Sequence, residues 1–264
     1  MYTMGVDVGS ASSKVVILKD GKEMVAACTV QVGTGTSGPE QALALALEKS
    51  GLSKSDMAFT VATGYGRFSY TDADKQFSEI SCHAKGVFFQ VPSARTIIDI
   101  GGQDAKAIRI DEKGTVKQFF MNDKCAAGTG RFLDVMSRVL ETTVGELAGH
   151  SEKAEFAASI SSTCTVFAES EVISQLSKGE KRENIVAGIH KSVASKALAL
   201  AYRGTIEDDI VMSGGVALNG GVVKAMEEQT GKKITVAEDP QTIGALGAAL
   251  FAYEEVLKSQ TESS

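Results

Sequence analysis

The stretch YTMGVDVGSASSKVVILKDGK (residues 2–22) has a second version in the same chain, RTIIDIGGQDAKAIRIDEKGT (residues 95–115). One offset of 92 residues aligns Asp7 with Asp99, Gly9 with Gly101 and Lys14 with Lys106. In both copies an apolar strand runs into an Asp-x-Gly turn and then a second, alternating strand. The repeat predicts two duplicated halves, each opening on a β-hairpin.

The rest of each half alternates strands and helices. In the first half we predict a third strand at TVQV, a helix over 40–49 and a strand at AFTVATGYGR. In the second half we predict helices near 127–140, 165–176, 185–202, 222–229 and 244–257, with strands at 209–215 and KITVA. The tail after about Glu255 is predicted to be disordered. This order predicts an α/β fold with three layers per half.

Composition excludes several classes of protein. The 264 residues carry a net charge of −6 and no block of Lys or Arg, so we expect no nucleic-acid partner. No window approaches the roughly 18 apolar residues of a membrane span, and the amino terminus does not resemble a signal peptide. The protein is therefore predicted to be cytoplasmic. Four widely spaced cysteines are expected to be reduced thiols or metal ligands.

Two Asp-x-Gly turns facing each other predict a nucleotide site. Backbone N–H groups of such turns bind phosphate oxygens, and the carboxylates of Asp7 and Asp99 would share the Mg²⁺ of ATP. Phosphate is expected on Gly9, Ser10, Ala11, Ser12, Ser13 and Lys14 of the first turn and on Gly101, Gly102 and Gln103 of the second. Gln103 is the catalytic candidate, because its amide could orient the attacking water. Alone, each turn could be an ordinary hairpin or helix cap.

A third glycine motif, MSGGVALNGG (212–221), follows a predicted strand and opens a helix, where it would bind adenosine. Together, GVDVGSASSK, IIDIGGQDAK and VMSGGVALNGG resemble the nucleotide motifs of the superfamily of acetate and sugar kinases, heat-shock chaperone ATPases and actin. The resemblance implies two ribonuclease-H-like domains around a nucleotide cleft. The first domain would be 1–94, completed by a C-terminal helix at 245–258, and the second 95–244. Gly214, Gly215, Ala217 and Gln241 would surround the nucleoside.

Two cysteines are candidate metal ligands. Cys125 in NDKCAAGTGRFLDVM and Cys164 in SSTCTVFAESEV are each predicted to stand directly before a helix. A helix N-terminus favours the thiolate, which suits a metal or an iron–sulfur cluster. Because a [4Fe–4S] cluster normally takes four thiolates, two per chain suggest one cluster shared by a two-fold homodimer. Cys28 and Cys82 are predicted to be small core residues.

The same cysteine segments, with the order of motifs from Tyr2 to Tyr253, closely resemble the ATP-dependent activators of 2-hydroxyacyl-CoA dehydratases. Within that family the sequence looks closest to the 2-hydroxyisocaproyl-CoA type. The resemblance implies an oxygen-sensitive homodimer from amino-acid-fermenting anaerobes, with a [4Fe–4S] cluster held by Cys125 and Cys164. It would take one electron from ferredoxin or flavodoxin, hydrolyse ATP to ADP, and pass the electron to the dehydratase.

Other functions stay open on the residues alone. The chain could be a small-molecule kinase of the same superfamily whose cysteines merely pack, although no acceptor carboxylate stands out. It could also be a binding module that uses ATP to clamp a partner, or a structural zinc protein using all four cysteines. His83, next to Cys82, is expected to be a packed or exposed side chain rather than a ligand.

Overall fold

The computed structural model describes residues 1–161 and 164–262. Its contacts divide the chain into two compact units. Unit 1 comprises Met1–Ala94, Ile110–Val116 and the residues from Ala237 onward, and unit 2 comprises Arg95–Arg109 and Lys117–Val236. Unit 1 therefore also takes in 110–116 and 237–244, which the predicted second domain would include.

Strands and helices alternate through the described residues. The strands are β1 (Tyr2–Val8), β2 (Ser13–Lys19), β3 (Glu23–Val30), β4 (Met57–Thr63), β5 (Lys75–Gln76), β6 (Thr96–Ile100), β7 (Ala105–Ile110), β8 (Val116–Asn122), β9 (Ile210–Ser213) and β10 (Ile234–Val236). The helices are α1 (Gly38–Ser50), α2 (Glu79–Gln90), α3 (Gly130–Val139), α4 (Leu147–Ser151), α5 (Thr165–Ser177), α6 (Arg182–Ala201), α7 (Gly220–Thr230) and α8 (Ile243–Glu262).

Several of these bounds correct the predictions. Strand β3 spans Glu23–Val30 rather than TVQV (29–32), and β4 ends at Thr63 rather than at Arg67. Helix α3 begins at Gly130 rather than near residue 127. Helix α8 continues to Glu262, so the predicted disorder after about Glu255 is wrong for the described residues; 263 and 264 lie outside them.

Each unit is built around one mixed sheet of the same design. Among the described residues the strand order is β3-β2-β1-β4-β5 in unit 1 and β8-β7-β6-β9-β10 in unit 2. The central strands β1 and β6 run antiparallel to the next strand in the chain and parallel to β4 and β9. Even the register agrees, since Asp7 faces Lys14 and Asp99 faces Lys106. The structure thus confirms an α/β fold made of two duplicated units.

Burial explains the composition of the central strands. All five residues of β6 and all but the first of β1 are buried. Such near-continuous apolar character is typical of strands covered on both faces. In unit 1, α8 packs along β1, and in unit 2 the long helix α6 supplies Ile189 and Val193 to the same core as Ile98. Of the described helices, none is long and apolar enough to cross a membrane.

Glycines let α8 pack closely against its neighbours in unit 1. A Cβ atom on Gly247 would lie 1.8 Å from the carbonyl oxygen of Cys82 in α2, and one on Gly5 of β1 would lie 2.0 Å from the carbonyl oxygen of Ala245. The rings of Phe77 and Phe251 stack with centroids 4.6 Å apart further along the helix. Helix α8 is therefore part of the unit 1 core, although it comes last in the chain.

We expect Gly247→Ala to lower the free energy of unfolding by about 3 kcal/mol, because the new methyl group meets helix backbone that cannot move alone. The matched control is Gly149→Ala in α4, where a Cβ atom would meet nothing within 4 Å. There alanine should be neutral or slightly stabilising, since it favours helix. Urea denaturation followed by circular dichroism measures both, and equal effects would contradict the packing argument.

Candidate active site

In unit 1 the first Asp-x-Gly turn joins β1 to β2. Asp7 is buried near the end of β1, and its Oδ2 lies 3.2 Å from Nζ of Lys14 on β2. The turn is closed by a hydrogen bond in which Gly9 N–H donates to the carbonyl oxygen of Ser12, at 3.1 Å. The strand register therefore brings a carboxylate and an ammonium group together at the base of a small-residue turn.

The four residues between Gly9 and Lys14 differ in what they can offer a ligand. Ser10, Ala11 and Ser12 are half-buried or exposed. Ser13 is buried, and its hydroxyl donates to the carbonyl oxygen of Val32 at 2.8 Å. The accessible part of the predicted phosphate loop is therefore 9–12 with Lys14, and Ser13 contributes to the fold of the turn.

Sequence reasoning missed a second glycine beside Asp7. Gly64 follows β4 with φ at +89°, and a Cβ atom there would lie 2.3 Å from Oδ1 of Asp7. Glycine is required both by this conformation and by the close approach. The signal was present, because Thr63-Gly64 after β4 corresponds to Ser213-Gly214 after β9 in the duplicated sheet.

Helices α2 and α8 also approach Asp7. A Cβ atom on Gly244, in the first turn of α8, would lie 3.1 Å from Oδ2 of Asp7 and 3.1 Å from Nε2 of His83. His83 is buried on α2. It lies beside the carboxylate proposed for Mg²⁺, a location that sequence reasoning did not predict.

In unit 2 the second turn repeats this arrangement with additional partners. Oδ2 of Asp99 lies 3.2 Å from Nζ of Lys106, and Oδ1 accepts a hydrogen bond from the Ser213 hydroxyl at 2.8 Å. Gly101 N–H donates to the carbonyl oxygen of Asp104 at 2.9 Å, as Gly9 does to Ser12. Gln103 at the tip of the turn is exposed, as a group that contacts a ligand needs to be.

The first turn of α3 is hydrogen-bonded directly to this second turn. Gly130 N–H donates to the carbonyl oxygen of Gly101 at 2.9 Å, and Arg131 N–H donates to that of Gly102 at 2.8 Å. The residue before α3, Thr129, is buried and donates its hydroxyl to the carbonyl oxygen of Ala126. Two backbone hydrogen bonds therefore hold the start of α3 to residues 101–102.

Cys125 lies in that segment and not at a helix N-terminus, so the prediction for this thiol is wrong on that point. Thr129 is the N-cap residue of α3. Gly128, with φ at +84°, has a left-handed backbone conformation, so the residues between Cys125 and the helix are not helical. Cys125 is exposed, and the side chain of Asn122 bonds its backbone, with Nδ2 2.9 Å from its carbonyl oxygen. The thiol is therefore accessible to solvent, on a turn that the Asn122 side chain holds by hydrogen bonds.

Cys164 is the N-cap residue of α5, as predicted, and is half-buried. The helix that it precedes carries apolar side chains in solvent: Val166 and Phe167 are 65% and 66% exposed. Ser162 and Thr163, in the same motif, lie outside the described residues.

The other two cysteines belong to the apolar clusters of unit 1. Cys82 is fully buried, and burial raises the pKa of its thiol to about 12. Cys28 is half-buried in the unit 1 core, and burial raises its pKa as well. Within the part of the chain that the structure describes, no three His, Cys, Asp or Glu side chains cluster as a metal site.

The predicted nucleoside residues belong to both units. Gly214, with φ at +84°, and Gly215 follow β9 in unit 2; a Cβ atom on Gly214 would lie 3.0 Å from Oδ1 of Asp99. Ala217 is buried in the 3₁₀ turn Gly215–Leu218. Gln241 belongs to unit 1, just before α8.

The buried His190 packs against the end of the motif at 212–221. A Cβ atom on Gly221, in the first turn of α7, would lie 2.2 Å from Nδ1 of His190 on α6. That Nδ1 is 3.0 Å from Oγ of Ser151, whose hydroxyl donates to the carbonyl oxygen of Ala148. The imidazole therefore carries its proton on Nδ1, while Nε2 is buried with no hydrogen-bond partner among the described residues.

Two mixed sheets of one design, each ending its central strand in an Asp-x-Gly turn, define an α/β ATPase fold of the actin-like kind with ribonuclease-H-like units. The chain belongs to the BadF/BadG/BcrA/BcrD ATPase family, whose family model matches residues 4–252.

Known proteins are similar over almost the whole chain. An activator of lactoyl-CoA dehydratase from Anaerotignum propionicum is 69% identical, covering 98% of this chain and 100% of the relative. The solved activator of the 2-hydroxyisocaproyl-CoA dehydratase from Clostridium difficile, with bound ADPNP, has a TM-score of 0.96 and 55% identity, covering 99% and 98%. A ROK family glucokinase from Streptomyces griseus, at 11% identity and a TM-score of 0.60 over 96% and 100%, shares the fold alone.

These comparisons confirm the predicted family and correct one detail. The chain is more similar to the lactoyl-CoA type, at 69% identity, than to the 2-hydroxyisocaproyl-CoA type, at 55%. The expectation that it is closest to the 2-hydroxyisocaproyl-CoA type is therefore wrong. A small-molecule kinase is not favoured, because the relatives at 55% to 69% identity are named as dehydratase activators, whereas the glucokinase is only 11% identical.

We expect the buried His190 to make the protein less stable in mild acid. Burial lowers its pKa from 6.5 to about 4, so between these values the unfolded chain binds a proton that the folded chain does not. Stability should fall by about 3 kcal/mol as the pH drops from 7 to 4. Urea denaturation across this range measures it.

The control for this prediction is His190→Leu, which has nothing to titrate at this position. Its stability should fall less over the same pH range than that of the wild type. Parallel pH profiles would show that other groups cause the loss.

Proposed function

We propose that this protein is an ATP-hydrolysing one-electron donor that activates a 2-hydroxyacyl-CoA dehydratase. The observation that carries the proposal is the pair of hydrogen bonds from Gly130 and Arg131 to the second Asp-x-Gly turn. They connect a turn of the phosphate-binding type to the segment that presents Cys125. The names of the similar proteins support the same function.

ATP would be bound by both Asp-x-Gly turns. Asp7 and Asp99 would bind the Mg²⁺ that accompanies the nucleotide, and the backbone N–H groups at 9–12 and 101–103 would donate to phosphate oxygens. Gln103 would orient the attacking water, which its exposure permits. Gly214, Gly215, Ala217 and Gln241 would surround the nucleoside. The family name and the ADPNP bound to the similar solved protein support nucleotide binding.

The cysteines fit a [4Fe–4S] cluster shared between two copies of the chain. Cys125 is exposed and Cys164 half-buried, so both thiols can reach a ligand, whereas Cys82 is enclosed and Cys28 packs against the apolar core of unit 1. Two such thiols per chain make four only in a homodimer. When bound, the cluster would hold one electron at a time and would be sensitive to oxygen. The exposed Val166 and Phe167 beside Cys164 fit a face that another protein covers.

Nucleotide turnover would act on the cysteines through the chain itself. Binding and loss of phosphate at 101–103 would shift the carbonyl groups that hold the first turn of α3, and the segment from Cys125 to Thr129 would follow. The partner dehydratase would receive the electron, and ferredoxin or flavodoxin would supply it. We propose a lactoyl-CoA dehydratase as the first partner to test, because of the 69% identity to its activator.

Anaerobic preparations of cysteine variants test the cluster. We expect Cys125→Ser or Cys164→Ser to abolish the EPR signal of the reduced protein and its iron and sulfide content, with ATP binding nearly intact. Cys28→Ser is the matched control and should keep both the signal and the metal. A full signal in both ligand variants would refute the assignment, and a monomer in solution with full cluster content would refute the sharing.

A further inference from the structure

The two Asp-x-Gly turns differ at one position that changes the charge. Their backbone bonds and strand registers match, with Gly9 bonded to Ser12 in unit 1 and Gly101 to Asp104 in unit 2. The residue that closes the turn is thus a serine in one copy and an aspartate in the other. Its neighbour two residues on is a lysine in both copies, Lys14 and Lys106.

Asp104 forms an ion pair with Lys106, the lysine of the same turn. Nζ of Lys106 lies 3.2 Å from Oδ2 of Asp99 and in a still shorter contact with Oδ2 of Asp104, and the Lys106 side chain is 3% exposed. The other oxygen of Asp104 lies over Gly101, where a Cβ atom would be 2.4 Å from it. A side chain at 101 would therefore have to displace this carboxylate from its place over the turn.

The first turn has no such carboxylate. Within the described residues, Lys14 makes one ion pair, with Asp7 at 3.2 Å, and its side chain is 14% exposed. One ammonium against one carboxylate leaves this turn neutral, whereas one ammonium against two carboxylates leaves the second turn with a net negative charge. A phosphate chain would be attracted differently by the two turns.

We propose that Asp104 is a positioning residue that holds Lys106 as an internal counter-ion, so that Lys14 alone of the two matching lysines binds nucleotide phosphate. The second turn then offers phosphate only backbone N–H groups and Gln103, and its excess negative charge favours the metal side of the nucleotide. This division of labour rests on the proposed binding of ATP.

Calorimetric titration of the full protein with MgATP tests the asymmetry. Lys14→Ala should weaken ATP binding about tenfold or more, the loss expected for one charge-assisted phosphate contact. Lys106→Ala should weaken it less than about threefold, while lowering the thermal midpoint, because the buried Asp99 and the half-buried Asp104 lose their counter-ion. If that variant does not fold, the double variant Lys106→Ala with Asp104→Ser removes one of the two acids and takes its place.

The reciprocal change at Ser12 tests the role of the carboxylate itself. Ser12→Asp should capture Lys14 and weaken ATP binding about as much as Lys14→Ala, whereas the uncharged Ser12→Asn should weaken it much less. Adding Ser12→Asp to Lys14→Ala should cause little further loss, because both act through one ammonium group. Full additivity would indicate direct repulsion of phosphate and overturn the proposal.

Two further results would decide against it. Equal losses of ATP affinity in Lys14→Ala and Lys106→Ala would overturn the asymmetry while leaving the proposed function intact. Failure of the wild-type protein to bind ATP at all would overturn both, and the titration of the wild type separates these cases at the outset.

Discussion

The ion pair between an aspartate and a lysine on adjacent antiparallel strands underlies both halves of this molecule. It places a carboxylate at the end of a buried central strand, with an ammonium partner 3.2 Å away in each copy. An unpaired carboxylate at such depth would be costly. Glycines at 64, 214 and 244 crowd the same carboxylates from the neighbouring elements, so the local backbone is fitted around the pair.

In unit 2 the turn that carries this ion pair is also connected to the candidate cluster ligand. The turn that follows Asp99 is bonded to the start of α3, and the chain before α3 carries an exposed thiol on a short braced segment. The turn and the thiol are thus joined through two backbone hydrogen bonds and the short segment from Cys125 to Arg131. Duplication supplied two turns, and a single serine-to-aspartate difference gave them unlike charges.

Much of this was predictable from the sequence, and the misses have physical causes. The repeat aligned Asp7 with Asp99 and so predicted two halves of one design, each opening on a β-hairpin, but not the order of the strands in the sheets. Cys125 was placed too near a helix because Ala126 and Ala127 favour helix, whereas Gly128 in a left-handed conformation delays its start. Helix α8 continues past Glu255, and just before that point Glu255 pairs with Lys75 and Glu254 with Lys85, 180 and 169 residues apart in sequence, which no local pattern shows. Gly64 was read only as part of a strand.

The position of α8 has a consequence for how the chain acquires its structure. Gly244 lies next to Asp7, and Gly247 packs on α2. The residues that surround the first carboxylate therefore include some that follow all of unit 2 in the chain. During synthesis on the ribosome, all residues of unit 2 have been added once the chain reaches Val236. At that stage α8, the helix that covers β1, has not yet been synthesised. The half of the protein that is translated first is therefore the half that matures last, and its exposed sheet is the surface that a chaperone would need to protect.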